Sequence, residues 1–185
     1  MLITPTALNP VMLVELSPRG DDRGYFMRTY DEEIFFRHGL QTRWVQENQS
    51  LSVVAGTLRG LHFQRGSAAE TKFVRVLRGR IWDVAVDIRE GSPTFGQYVG
   101  EELSAANNRA LYIPRGFAHG FFTLESDCLV AYKVDNVYSA ADEGGLRWND
   151  PALSIPWPIG DGTTPACISD KDATWPLLSG TDPRP

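Results

Sequence analysis

The sequence predicts an all-β fold, either a β-sandwich or a β-barrel. Many short segments alternate apolar with polar residues, and a period of two is the signature of a strand. The 17 glycines and 12 prolines are spread along the 185 residues and separate these segments. Helical patterns are few. Strands at regular spacing between turn signals are typical of sandwiches and barrels.

The clearest strand is IWDVAVDIR, residues 81–89. Its even-numbered residues from Trp82 to Ile88 are apolar and share one face, whereas Asp83 and Asp87 share the other. The preceding run, 72–77, is joined to it through Arg78-Gly79-Arg80, which we interpret as a tight hairpin turn. The other predicted strands span residues 12–16, 24–30, 43–52, 57–64, 96–103, 110–113, 120–125 and 128–134.

Two short helices complete the predicted elements. Asp31 is a suitable N-cap for a helix that Gly39 ends, and Ser169 is a suitable N-cap for a second helix near the C-terminus. No internal repeat or low-complexity segment is present. We therefore expect a single domain over residues 1–178 and a disordered tail, SGTDPRP, over residues 179–185.

Charge and composition exclude several classes of protein. The chain has 18 basic and 23 acidic residues, a net charge of −5, and a nucleic-acid binder is expected to be basic. A local cluster of Arg and Lys is still enough to hold one phosphorylated small molecule. No apolar run approaches the roughly 18 residues that span a bilayer, and no basic signal-peptide region precedes the first apolar residues. Cys128 and Cys167 fit no disulfide or metal-finger pattern, so we expect reduced thiols in a cytoplasmic protein.

His62 lies in a strand-like segment, RGLHFQ, that contains a glycine. A glycine there often marks a bulge or a close approach of the backbone. A bulge at Gly60 would reset the alternation and bring Arg59 and His62 to the same cavity. The spacing alone equally allows a core histidine bonded to the backbone.

The other two histidines differ in their surroundings. His38 lies at the end of the first predicted helix, where a surface position is expected. His119 lies between Phe117 and Phe121 on one strand face, which fits either a buried structural histidine or a pocket residue.

The motifs favour acid–base chemistry, because the patterns of other reaction types are absent from the sequence. Metal-binding β-barrels usually present His-x-His, which this chain lacks, and His62 and His119 alone are fewer than the three ligands that zinc or iron prefers. We therefore expect no metal and no other cofactor. No Gly-x-Ser-x-Gly, Gly-x-Gly-x-x-Gly or P-loop is present. Histidine, tyrosine and carboxylates remain, with Arg and Lys to hold an anion.

An ordered set of short motifs carries a resemblance. The motifs are DRGYF at 22–26, VQENQS at 45–50, LRGLHFQ at 58–64, KFVRV at 72–76, DVAVDIR at 83–89, SPTFG at 92–96, IPRGFAHGF at 113–121, YK at 132–133 and WNDP at 148–151. Together they resemble the dTDP-4-dehydrorhamnose 3,5-epimerase family. The resemblance implies a metal-free, cupin-type jelly roll that works as a homodimer.

The resemblance also implies a substrate, dTDP-4-dehydro-6-deoxy-D-glucose, and a mechanism. The C4 ketone acidifies the C–H bonds at C3 and C5, so one site can invert both centres. By the family pattern His62 is the general base with Asp172 as its partner, and Tyr132 is the proton donor on the opposite face. Lys72 matches the position that stabilises the enolate.

Further positions match substrate contacts of the family. Arg59 is expected to pair with a phosphate through its planar guanidinium, and Tyr138 to stack on the thymine base, in the family from the neighbouring subunit. The full set of matching contact positions is Arg23, Phe26, Arg28, Gln46, Asn48, Arg59, His119, Tyr138 and Glu143.

Each of these residues also has a structural interpretation. Asp172 follows Ser169 by three residues, as in a capping box. Tyr132 fits a core position, and Lys72 fits a solvated strand edge. Asp83 fits either a partner that orients His119 or one of two solvated aspartates.

Two departures from the family pattern bear on the activity. Arg28 stands where an acidic residue is usual, and Glu47 stands where aspartate is usual. Relatives that invert only C3 or only C5 share most of the motifs, so Arg28 leaves the regiochemistry open. A non-catalytic module that binds a sugar nucleotide is the alternative from another class.

Overall fold

Two antiparallel sheets pack face to face in the computed structural model, which describes residues 1–180. The strands are β1 Leu2–Pro5, β2 Met12–Glu15, β3 Arg19–Asp21, β4 Gly24–Phe26, β5 Gln46–Ser52, β6 Leu58–Gln64, β7 Lys72–Arg78, β8 Arg80–Asp87, β9 Tyr98–Ser104, β10 Arg109–Ile113, β11 Phe117–Thr123, β12 Cys128–Val134 and β13 Glu143–Gly145. The first sheet has the order β1-β2-β10-β7-β12-β5, the second has the order β13-β6-β11-β8-β9, and β3 and β4 form a separate hairpin. The predicted all-β class and cupin-type sandwich are confirmed.

The main core lies between the two sheets. It joins Val74, Leu111 and Val130 of the first sheet to Ile81 and Phe121 of the second. The outer face of the second sheet is covered by the chain that follows β13, and Trp82, Val84, Val86 and Ile88 pack there as predicted. Both faces of β8 are therefore buried, and Asp83 and Asp87 are fully enclosed.

Both predicted helices are present and capped as expected. Helix α1, Glu32–Arg37, begins after Asp31, whose carboxylate accepts a bond from the Ile34 N–H. It packs Phe35 on the outer face of the first sheet, and His38 is exposed at its end. Helix α2 spans Asp170–Thr174. No helix within residues 1–180 is long and apolar enough to cross a membrane, and both cysteines are free.

The predicted hairpin at Arg78-Gly79-Arg80 is wrong. It connects β7 in the first sheet to β8 in the second, so the two strands do not pair. Gly79 has φ +80°, and a Cβ there would lie 2.6 Å from the Cys128 sulfur. The turn is therefore a tight corner between layers, which period-two alternation cannot distinguish from a hairpin.

Several boundaries also differ. The strand predicted at 24–30 ends at Phe26, and β1, β3 and β13, each of three or four residues, were not predicted. Of the predicted tail, Ser179 and Gly180 end a short 3₁₀ turn. Residues 181–185 lie outside the described part of the chain.

Candidate active site

A cavity of about 270 Å³ opens between the two sheets at the end covered by α2. It gathers six of the predicted site residues, from four strands and one helix. Its lining comprises Ser50, Arg59, His62, Lys72, His119, Phe121, Tyr132, Ser169, Lys171 and Asp172. The sandwich thus brings the predicted base, its partner, the predicted acid and two basic groups to one enclosure.

The bulge predicted in β6 is present. Gly60 has φ +128°, and a Cβ there would lie 2.5 Å from the Cα of Gly120 on the neighbouring strand β11. The register between β6 and β11 shifts at this point. As expected, both Arg59 and His62 therefore line the cavity.

His62 and Asp172 form a hydrogen-bonded pair. His62 Nε2 lies 2.6 Å from Asp172 Oδ1, and the Gly60 N–H donates to Asp172 Oδ2 at 3.1 Å. Trp175 Nε1 donates to Oδ1 at 3.3 Å. Burial raises the pKa of the Asp172 carboxyl, but the bonds from His62, Gly60 and Trp175 outweigh it, and the pKa lies below its ordinary value. An ionised carboxylate accepts a hydrogen bond from the Nε2–H of His62, which leaves Nδ1 as the basic nitrogen.

Asp172 is the partner of His62, and only half of the capping box is present. Ser169 Oγ accepts a bond from the Asp172 N–H at 3.1 Å and so caps α2. The carboxylate does not return to Ser169 but points at His62 and Gly60. The helix cap therefore fixes the backbone that presents the carboxylate.

Tyr132 enters the cavity from the opposite sheet. It lies on β12 of the first sheet, whereas His62 lies on β6 of the second. Burial and the nearby Glu70 carboxylate raise the pKa of Tyr132, while Arg59 lowers it to a smaller extent. The phenol is therefore protonated at neutral pH.

Lys72 and Arg59 supply positive charge to the cavity wall. Lys72 begins β7; its side chain is 10 % exposed and lies 3.3 Å from Glu70 Oε1, which excludes the solvated strand edge. Arg59 donates to Ser52 Oγ and to the Leu51 carbonyl, each at 3.0 Å. These bonds hold the guanidinium in place while it still faces the cavity.

A second imidazole–carboxylate pair lies beside the first. His119 Nε2 is 2.7 Å from Asp83 Oδ1, and His119 is directly opposite His62 in the β6–β11 ladder. Asp83 is fully buried, so it orients His119 rather than forming a solvated pair with Asp87. Asp87 is buried separately against Arg89, Ser92 and Thr94.

Four predicted contact residues lie around the cavity, three of them in a network at its rim. The Tyr138 hydroxyl donates to Glu143 Oε2 at 3.0 Å, and Lys171 Nζ lies 2.6 Å from the same oxygen. Gln46 accepts a bond from the Tyr138 N–H at 3.1 Å. Asn48 pairs with Tyr132 across the β5–β12 ladder.

Arg23, Phe26 and Arg28 lie elsewhere. They belong to the exposed β3–β4 hairpin and the segment after it, and none of them lines the cavity of its own chain. Arg23 pairs with Asp21 and Arg28 with Asp31. Phe26 is 68 % exposed.

Sequence reasoning missed Lys171 and Trp175. Lys171 pairs with Glu143, and its ammonium lies 5.4 Å from the centre of the Trp175 ring. Trp175 donates to Asp172 and packs edge-on against His62, with 6.3 Å between ring centres. Their closeness to Asp172 in sequence was the available signal. Within residues 1–180, no group of three or more His, Cys, Asp or Glu side chains is arranged to hold a metal.

Comparisons with known proteins agree in sequence and in fold. A family model described as dTDP-4-dehydrorhamnose 3,5-epimerase matches residues 5–180. The dTDP-4-dehydrorhamnose 3,5-epimerase of Salmonella typhimurium is 48 % identical over 179 residues, which cover 96 % of each chain.

Two solved structures have the same fold over nearly their full length. The dTDP-4-dehydrorhamnose 3,5-epimerase of Bacillus anthracis, with TDP and PPi bound, has a TM-score of 0.90 at 46 % identity, covering 95 % of this chain and 98 % of that one. The 3,5-epimerase of Legionella pneumophila in complex with dTDP-4-keto-L-rhamnose has a TM-score of 0.91 at 41 % identity, covering 98 % and 94 %.

Proposed function

This chain belongs to the dTDP-4-dehydrorhamnose 3,5-epimerase family, and from that membership we propose how its own residues act. The chain is an isomerase that inverts C3 and C5 of dTDP-4-dehydro-6-deoxy-D-glucose by proton removal and return next to the C4 ketone, in deoxysugar biosynthesis of the dTDP-L-rhamnose type. One observation carries the assignment of roles. His62, paired with Asp172, and Tyr132 line a single cavity from opposite sheets.

His62 is the general base. Its Nε2–H is held by Asp172, so Nδ1 takes the proton from the carbon next to the ketone, and the electron pair of the C–H bond moves to the C4 oxygen. The Asp172 carboxylate stabilises the imidazolium that results. Positioned proton transfer of this kind contributes about 10²–10⁴-fold to the rate.

Lys72 and Tyr132 complete the inversion. The Lys72 ammonium stabilises the enolate oxygen, where negative charge develops. Tyr132 then gives its proton to the opposite face of the same carbon, and the electron pair returns from oxygen to form the new C–H bond. Exchange of protons with solvent restores His62 and Tyr132, and the same groups act on the second carbon.

The remaining predicted residues bind the nucleotide portion. Arg59 and His119 contact the substrate from the cavity wall, with Arg59 placed to pair with a phosphate. Gln46, Asn48 and Glu143 contact the nucleotide from the rim. The exposed Tyr138 ring stacks on the thymine base bound by the neighbouring subunit, as the family pattern implies.

Arg23, Phe26 and Arg28 contact substrate only if a second copy supplies them, because they do not line the cavity of their own chain. We propose a homodimer for this reason. The exposed apolar residues Phe26, Val53 and Val54 support such an interface. Two free cysteines support a reducing, cytoplasmic location.

Position-resolved deuterium exchange tests the proposal. The keto sugar is incubated with the enzyme in D₂O, and deuterium at C3 and C5 is followed by NMR. We expect exchange at both carbons, no exchange with His62→Ala, and exchange without inversion with Tyr132→Phe. No exchange with the wild-type protein would reject the epimerase and favour a non-catalytic binding module.

A single-centre epimerase is the second candidate, and Arg28 is the observation that favours it. Arg28 places a positive charge where the family usually has an acidic residue. Its side chain is 64 % exposed and pairs with Asp31. Exchange at only one carbon would establish this candidate. Restoration of the second exchange by Arg28→Glu would assign the difference to this residue.

A further inference from the structure

A nearly buried carboxylate behind Lys72 has no part in the steps above. Glu70 lies between the 3₁₀ turn at Gly66–Ala68 and β7, and its side chain is 11 % exposed. Its Oε1 lies 3.3 Å from Lys72 Nζ, and its Oε2 accepts a bond from Gln64 Nε2 at 3.2 Å. Both carboxylate oxygens are thus engaged at the wall of the cavity.

The position of the Lys72 ammonium depends on this carboxylate. Lysine carries a point charge on a flexible four-carbon stem, so its location is set by its partners. A nearly buried ammonium without a counter-ion is costly, and Glu70 is the carboxylate that pairs with Lys72 in the wall.

Gln64 in turn holds Glu70 in place. Gln64 is buried, and its amide oxygen accepts from the Ser139 N–H at 2.6 Å. Its amide nitrogen shares two hydrogens among Glu70 Oε2, the Ala68 carbonyl at 2.9 Å and the Val137 carbonyl at 3.1 Å. The carboxylate is therefore attached through Gln64 to the strand and loop around the rim. A flexible surface glutamate would not be restrained in this way.

The charge of Glu70 also acts on Tyr132. Burial and Glu70 raise the pKa of the Tyr132 phenol, whereas Arg59 lowers it. The other charged or titratable groups that line the cavity with Tyr132 are Lys72 on the neighbouring strand β7, Arg59 and His62 on β6, His119 on β11, and Lys171 and Asp172 on α2. Glu70 therefore favours the protonated phenol that reprotonation requires.

We propose that Glu70 is a positioning residue for epimerisation, which holds the Lys72 ammonium where the enolate oxygen develops. The proposal rests on the proposed function, because it gives Glu70 a role only through Lys72. Glu70 does not itself touch the substrate.

Two variants separate the charge of the Glu70 side chain from its length. Glu70→Gln keeps the shape but removes the charge. Removal of a whole oxyanion donor costs about 10²–10³-fold in kcat, so displacement of Lys72 without its loss is expected to lower kcat by about tenfold, with KM within threefold. The basic limb of the kcat–pH profile is expected to move to lower pH, because Tyr132 loses a charge that raises its pKa. Glu70→Asp keeps the charge but shortens the side chain, so kcat falls while the basic limb stays close to wild type.

Glu125→Gln is the matched control. Glu125 pairs with Arg80 at the surface and is half exposed, so its kcat, KM and pH profile should equal those of wild type. If Glu70→Gln and Glu70→Asp also match wild type in all three, Glu70 has no positioning role, although the epimerase assignment stands. A wild-type protein without exchange in D₂O would reject the epimerase itself. If Glu70→Gln does not fold, an unshifted kcat in Glu70→Asp would still overturn the proposal.

Discussion

Replacement of Asp172 by asparagine tests the catalytic pair most directly, because it keeps the shape of the side chain and changes only its charge and donors. Asp172 is 4 % exposed and accepts from the Gly60 N–H on one oxygen and from His62 and Trp175 on the other. The Gly60 N–H belongs to the backbone and cannot turn away. The amide oxygen of Asp172→Asn therefore faces Gly60, and its NH₂ group faces His62 and the Trp175 N–H, which loses its acceptor.

That orientation of the amide selects the other tautomer of His62. His62 Nε2 then accepts a bond instead of donating one, and the ring proton moves to Nδ1, which is the nitrogen required as the base. A lost hydrogen bond to a charged group costs about 1.5–3 kcal/mol, or about 10–150-fold in rate. The wrong tautomer adds to this loss, as in the corresponding change in serine proteases, where kcat falls about 10⁴-fold. We expect a loss of about 10³-fold in kcat with KM nearly unchanged.

The assay is deuterium exchange and inversion at C3 and C5 under saturating substrate. Asp170→Asn is the control, because Asp170 is an exposed carboxylate in the first turn of the same helix and does not line the cavity. Denaturant unfolding of both variants separates lost chemistry from lost stability. An Asp172→Asn enzyme within tenfold of wild type would refute the role of Asp172 in orienting His62.

Three further predictions follow from contacts near the cavity and in the core. Gly60→Ala should reduce the free energy of unfolding by more than about 3 kcal/mol, because its Cβ would strike the backbone of β11. The control is Gly24→Ala, which has the same φ of +128° but nothing within 4 Å and should cost much less. Equal losses measured by denaturant unfolding would exclude the steric cause. Trp175→Phe keeps a ring but removes the donor to Asp172, so kcat should fall about 3–10-fold with KM unchanged, and wild-type kinetics would contradict this. Burial raises the pKa of the Asp87 carboxyl, but bonds from Arg89 and neighbouring hydroxyls outweigh it and hold the pKa far below its ordinary value. The contribution of Asp87 to the stability of the folded protein is therefore complete above the unfolded pKa of about 3.9. It is lost as pH falls through the folded pKa. The stability difference between wild type and Asp87→Asn should therefore shrink below about pH 4, and a constant difference would contradict this origin.

The sequence predicted strands well wherever one face of a strand is uniformly apolar. Trp82, Val84 and Val86 of β8 lie together on one face packed against the second core, as the alternation indicated. The alternation does not say which strand is the partner, so the Gly79 turn was interpreted as a hairpin although it joins two sheets. Short strands such as β1 and β13 have too few residues for a period of two to be visible.

The candidate site was predicted in part for a similar reason. The motifs around His62 and Tyr132 identified residues that the fold brings together, although they are 70 positions apart. Glu70 was missed because its importance comes from what it touches, and a lone glutamate has no signature in one sequence. Trp175 offered only its closeness to Asp172 in sequence. Phe26 does not line the cavity of its own chain, and the role proposed for it requires a second copy.

His62 and Tyr132, the proposed base and acid, stand on different layers of the sandwich, so the span between them is set by how far apart the two sheets lie. Core residues such as Val130 and Ile81, which do not line the cavity, set that spacing. An engineer who wishes to admit a bulkier sugar should therefore remodel the loops at the mouth and leave these spacers untouched. A smaller side chain in the core between the sheets would change the distance over which Tyr132 returns the proton before it changed which molecule is bound.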